Sequence, residues 1–240
     1  DDVKNWAISQ LKAKSPALGI SQIGTKVKPW PQSLQPDLME RDTMFANWFQ
    51  RNKIGDASNA SNAERQANTK DNLMDEKDEL KFSHRNVYGK DQIRLRFTAF
   101  WANHFTTGNT HDNRNHIGHA IDEAILANLN GDFSHMLYKM TSHPSMLIYL
   151  DNIFSAGPNS KEVEWAKRNG KQAGLNDNLG RELLELHTVS PSANYSEDDI
   201  RNAAKVLAGW GVFPGMLWGN NKITLKQKHA KLIQMAGTTN

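Results

Sequence analysis

Ile117, Ile121, Ile125 and Leu129 recur every four residues before Gly131, and no stretch of the chain alternates apolar and polar residues over a convincing length. A four-residue recurrence keeps side chains on one face of a helix, whereas a half-buried strand needs a period of two. The pattern returns elsewhere. Ile93, Phe97, Phe100, Trp101 and His104 lie at offsets of 4, 7, 8 and 11, which predicts a buried helical face ending at Gly108 and Asn109. Phe133, Met136, Leu137 and Met140 predict another helix, closed by Ser142-His143-Pro144. Pro144 suits the first turn of a following helix that carries Met146, Leu147, Tyr149 and Leu150.

The remaining segments read in the same way. Val3 to Leu11 is a short amphipathic helix, and Pro16, Gly19, Gly24, Pro29, Pro31 and Pro36 predict a surface loop over residues 16–36. Leu38, Met44, Phe45, Trp48 and Phe49 carry a second helical pattern, and the polar stretch from Gly55 to Glu79 is expected to be partly helical. Gly157-Pro158-Asn159 marks a turn, and a helix follows over roughly 178–188. Ser196, with Asp199 three residues on, makes a capping-box-like start to a helix through Ile200, Ala203, Ala204 and Leu207. With no strand pattern and no internal repeat, the expected fold is all-α, an irregular multi-helix assembly with long surface loops.

Composition narrows the function classes. At 240 residues, 38% hydrophobic and 23% charged, the chain can bury a core and is expected to form a single helical domain over 1–240. No apolar run approaches the roughly 20 residues needed to span a bilayer, so no transmembrane segment is expected. The net charge of +3 is dispersed among 26 acidic residues, which argues against a nucleic-acid partner. The densest basic stretch, Leu225 to Lys231, is expected to be a solvated helix face. The absence of cysteine excludes disulfides, thiolate metal sites and a cysteine nucleophile. The sequence contains no Gly-x-Ser-x-Gly elbow, P-loop, His-Glu-x-x-His pair or dinucleotide fingerprint. Its seven tryptophans are explained by packing.

Three segments carry a family resemblance. They are Phe100-Trp101-Ala102-Asn103-His104-Phe105; Gly131-Asp132-Phe133 through His143-Pro144-Ser145-Met146-Leu147 to Asp151-Asn152; and Asn176 to Thr188, followed by Tyr195 and Ala208-Gly209-Trp210. In this order and spacing the chain resembles the DUF1800 family over about residues 90–210. Asp177, Gly180, Ser190 and Ala208 depart from the residues usual there, which are Glu, Ala, Gly and Thr. The resemblance implies an exported bacterial protein, secreted or periplasmic, often encoded beside a sulfatase-like envelope partner. It implies no established activity. Family members typically continue beyond this chain's end, so the chain is expected to be a fragment of a longer protein.

The polar residues of these segments are the candidate site. With Glu182 at zero and about 100° per residue, Leu183 falls at about 100°, Leu184 at 200°, Glu185 at 300°, Leu186 at 40° and His187 at 140°. His187 then lies on the leucine face, Glu182 and Glu185 share the opposite one, and Arg181 and Glu185, four apart, can pair. One reading makes His187 and His104 core imidazoles and the glutamates solvated. The other buries the glutamates too, and paired buried carboxylates hold a proton or a divalent metal. The resemblance implies that His104 and His187 meet across a helix interface. His111, His116 and His119, around Asp112, are read as exposed, although His116 and His119 share spacing suited to zinc.

Two functions follow. The first is an exported helical binding or assembly module. The second is a metal-assisted enzyme, with Glu182 and Glu185 as metal ligands or a general base, His104 and His187 as ligands or proton carriers, and Arg181 as an anion clamp; the metal set is His104, Glu182 and Glu185.

Overall fold

The computed structural model describes residues 1–12, 35–44, 74–89, 91–110 and 113–212. Of these, 69% are helical and none lies in a strand, so the all-α expectation holds. The helices are α1 (Asp2–Lys12), α2 (38–44), α3 (Met74–Tyr88), α4 (Gln92–His104), α5 (Ile117–Ala120), α6 (Phe133–Thr141), α7 (Pro144–Tyr149), α8 (Lys161–Arg168), α9 (Asn178–Glu182) and α10 (Glu197–Leu207). None of the helices among the described residues is long and apolar enough to cross a membrane.

Two helices widen into π turns, and the sequence explains the first. A step of four residues overshoots one α-helical turn by about 40°. An unbroken α-helix would therefore walk Ile117, Ile121, Ile125 and Leu129 off a common face. After α5 the chain instead forms a π turn at Ile121–Ile125 and a 3-10 turn at Leu126–Asn128. The wider turn absorbs the extra residue, and Ala124 and Ile125 stay in the core with Phe105, Met136, Met140, Met146, Leu147, Leu179 and Leu207. The second π turn, Leu183–Thr188, continues α9 and bears on the site.

Helix ends are fixed by local chemistry. Pro144 occupies the first turn of α7, and the Ser145 N–H donates to His143 Nδ1 at 3.1 Å. The Ser196–Asp199 capping box forms at α10. At the other end of α10, the buried Asn152 amide donates to Leu207 O (3.0 Å) and Trp210 O (2.8 Å), satisfying carbonyls that a helix end leaves unpaired. α9 crosses α10 at Gly180. A Cβ there would meet Ala204 N at 2.9 Å and Ile200 O at 3.0 Å, so the glycine sets the distance between the two backbones.

Three expectations need correction or fall elsewhere. The inner face of α4 is Arg94, Leu95 and Thr98, while Phe97 and Phe100 are exposed. Arg94 displaces the aromatics because its guanidinium caps Leu126 O (2.6 Å) and Leu11 O (3.2 Å), carbonyls beside that face. α1 forms where expected but buries none of its residues. Most of the 16–36 loop, Phe45 to Phe49, residues 55–73, His111 and the basic tail lie outside the described residues.

Candidate functional site

His104, at the end of α4, and His187, on the π turn after α9, face each other. Their ring centroids are 6.1 Å apart, and His104 Nε2 lies 3.3 Å from His187 O. Since a carbonyl only accepts, His104 carries its proton on Nε2. Burial, and then the neighbouring His104, pushes the His187 pKa down to about 4, so its ring is neutral at pH 7.

The π turn also rearranges the faces drawn at about 100° per residue. Leu186, placed beside His187 on a leucine face, is 62% exposed, whereas His187 is 4% exposed. Glu182 and Glu185 are half-buried and have different surroundings. Glu185 accepts from Arg181 at 3.5 Å, the pair expected from spacing. Arg181 also reaches Asp177 (3.3 Å) and grips both carboxylate oxygens of Glu197 (3.0 and 2.8 Å). That grip holds the Glu197 carboxyl below its ordinary range, while partial burial and a hydrogen bond with Glu185 raise the Tyr195 hydroxyl. Glu182 Oε2 and His187 Nδ1 are buried with no hydrogen-bond partner. Among the described residues, His104, Glu182 and Glu185 included, no three histidine or carboxylate groups are arranged to hold a metal ion.

Aromatic rings surround the histidines. Trp101 stands 5.2 Å from Phe100, 5.4 Å from Phe133 and 5.3 Å from His104, and Phe105 packs 5.3 Å from His187. Phe105 is in the core, but Phe100 and Phe133 are 60% and 41% exposed. The motif thus ends in an exposed aromatic face.

A second polar cluster lies outside the nominated residues. Arg41 from α2, 1% exposed, holds both oxygens of Asp78 on α3 (2.6 and 3.0 Å). Lys81 Nζ lies 3.3 Å from Asp78 and 2.5 Å from Asp122, and Arg85 lies 3.5 Å from Asp91. His116 and His119, expected to be exposed, belong to the same interior. His116, fully buried, bonds Asp42 at 2.8 Å, and His119 Nδ1 is 3.0 Å from His143 Nε2. His143 Nδ1 already accepts from Ser145, so Nε2 carries the proton and donates to His119. Burial, reinforced by nearby Arg41, lowers the His119 pKa to about 4; burial and then His119 hold His143 well below its ordinary value. A signal for this cluster was present. Met74, Asp78, Lys81 and Arg85, the buried residues of α3, are spaced 4, 3 and 4 apart, a core-face spacing occupied by charges.

This is an all-α protein in which a histidine–aromatic motif on α4, α6 and the turn after α9 stands apart from a buried ionic cluster built on α2, α3 and the turn after α5. A family model described as "Protein of unknown function (DUF1800)" matches residues 2–235, well beyond the 90–210 that carry the motifs, and the chain belongs to the DUF1800 family. Neither a curated protein nor a solved structure matches it.

Proposed function

We propose that the protein is an exported bacterial binding or assembly module, secreted or periplasmic, that docks a sulfatase-like envelope protein through the aromatic face of α4 and α6. The observation that carries this reading is the exposure of Phe100 and Phe133, which both pack on Trp101, with Phe133 6.2 Å from the His104 ring. Contiguous exposed aromatic surface marks contact sites, and aromatic side chains dominate binding energy at interfaces. The charged motif residues support it further: Arg181, Glu185, Asp177 and Glu197 satisfy one another and converge on no shared point. The test is co-expression with a sulfatase-like envelope protein, followed by size-exclusion chromatography. A complex abolished by Phe100→Asp/Phe133→Asp, with helical content unchanged, is expected. Absence of a complex, or one indifferent to both substitutions, defeats the reading.

One observation favours a second reading, a metal-assisted enzyme. Buried polar atoms without partners call for an explanation, and Glu182 Oε2 and His187 Nδ1 are two such atoms in one helical segment. In that reading Glu182, Glu185 and His104 would have to draw together around a divalent metal, since they form no ligand set as they stand, while Arg181 clamps an anion and His187 carries a proton. Elemental analysis of dialysed protein decides it: stoichiometric metal lost in Glu182→Gln supports it, and metal unaffected by that change removes the residue from the site.

A further inference from the structure

A cavity of about 300 Å³ lies between α3, α5 with the turn that follows it, and the chain around Asn109 and Arg114. That volume is at the lower end of small-molecule sites. Its walls are mostly apolar. Phe82, Ile117 and Ile121 supply a ring and two branched chains. Lys81 and Arg85 add their alkyl stems, because their charged ends are drawn to Asp122 and Asp91. A molecule that fills this space therefore has an apolar body, whose burial supplies most of the affinity.

The charges of the lining set the sign of its polar end. Lys81 stands between Asp78 and Asp122, Arg85 reaches Asp91 and Asp122, and Arg114 faces Asp75. Each cation of the lining thus already has a carboxylate, and Asp75, Asp78 and Asp122 are taken up in those pairs. Glu79 is the charge left over: it lines the cavity but makes no ion pair or hydrogen bond among the described residues. It is exposed, and it lies on the same face of α3 as Phe82, three residues further on. An anion in the cavity would meet Glu79 and find no cation without a partner. A cation pairs with Glu79 at the rim while its body reaches past Phe82. Because the pair is exposed, it decides selectivity more than strength.

We infer that this cavity binds a small organic monocation, an ammonium on an aromatic or branched aliphatic body, with the body against Phe82, Ile117 and Ile121 and the ammonium at Glu79. The site shares no residue with the aromatic face of α4 and α6, so it goes beyond the docking reading and does not depend on it.

The test is a titration of the full chain followed by amide-resolved NMR. The probes are phenethylamine, its neutral counterpart phenethyl alcohol, the anion hydrocinnamate, and ethylamine as an ammonium without the ring. The expected result is saturable millimolar binding of phenethylamine, with shifts centred on Phe82, Ile117 and Ile121. Phenethyl alcohol should bind about two- to fivefold weaker and hydrocinnamate weaker still, while ethylamine should not saturate. Glu79→Gln should bring the amine down to the level of the alcohol and leave the alcohol unchanged. Phe82→Ala should weaken both by roughly fivefold. Glu79 is exposed, so its variant tests the site even if the Phe82 variant folds poorly. The inference is overturned if phenethylamine does not saturate at these residues, or if the alcohol or the anion binds as well as the amine. It is overturned equally if the preference survives Glu79→Gln, or if a folded Phe82→Ala binds like the parent.

Discussion

Two ion networks of similar make-up have opposite settings. Around α3, Arg41, Lys81 and Arg85 meet Asp78, Asp122 and Asp91, and all of these side chains but the partly exposed Asp122 are almost wholly out of water. At α9 and α10, Arg181 meets Asp177, Glu185 and Glu197, and the Glu197 side chain is 67% exposed. The surface network has a bidentate grip as good as the buried one, but water and salt compete for each of its members. In the interior no solvent replaces a lost partner, so geometry that is optional at the surface becomes obligatory. Losing one partner should therefore cost the fold far more at α3 than at α9.

The largest expected effect follows directly. Asp78→Ala leaves Arg41 and the nearby Lys81 facing an apolar gap, and breaking a buried pair in this way costs about 3–5 kcal/mol. Urea denaturation should show the midpoint falling with little change in slope. A loss near that of a surface carboxylate would break the comparison at its stronger end.

This division was half legible in the sequence. Helix class, the Pro144 start, the Ser196–Asp199 cap and the Arg181–Glu185 pair all follow from spacing within one element, which sequence displays. The facing of His104 and His187 came from the family resemblance. The buried network was missed because Asp78, Lys81 and Arg85 look like solvated helix residues until Arg41 and Asp122, distant in sequence, close on them. The exposed Phe97 and Phe100 were misplaced for a related reason: Arg94 claims the inner face through carbonyls of other segments. The π turn at Leu183–Thr188 shifted the faces around His187, since a wheel at about 100° per residue assumes α geometry throughout.

Acid should probe the interior next. In the unfolded chain a histidine takes up its proton near pH 6.5, at about its reference value, whereas His119 and His187 resist until about 4 in the fold. His143 is lowered as well. Between those values the unfolded chain holds more protons, so stability rises with pH through the window and is lost as pH falls through it. Thermal melts should show Tm falling by roughly 5–10 °C from about pH 7 to 4.5. His119→Gln should flatten part of that slope, and a slope unchanged by it would remove this histidine from the interior account.

Gly180 tests how tightly the surface network is underpinned. Alanine there must push α9 from the backbone of α10, so Gly180→Ala should cost about 1–3 kcal/mol as overpacking. The α10 helix should separate slightly while the capping box persists, visible as amide shift changes confined to residues near Ile200 and Ala204. A stabilising alanine would show that the two helices slide apart freely.

Arg181→Ala should give the smallest effect, although the residue has three carboxylate partners. Its removal leaves Asp177, Glu185 and Glu197 accessible to water and counterions, so no group becomes a stranded buried charge. The expected loss in Tm is about 1–2 °C at low salt and vanishes as ionic strength shortens the screening length. Asp78→Ala should show no such salt rescue, because screening does not reach a pair with side chains 1% and 6% exposed. The salt dependence is therefore the sharper comparison. If Arg181→Ala proved as costly as Asp78→Ala and insensitive to salt, the α9 network would have to be covered by a partner in solution, and its exposed carboxylates would mark where that partner sits.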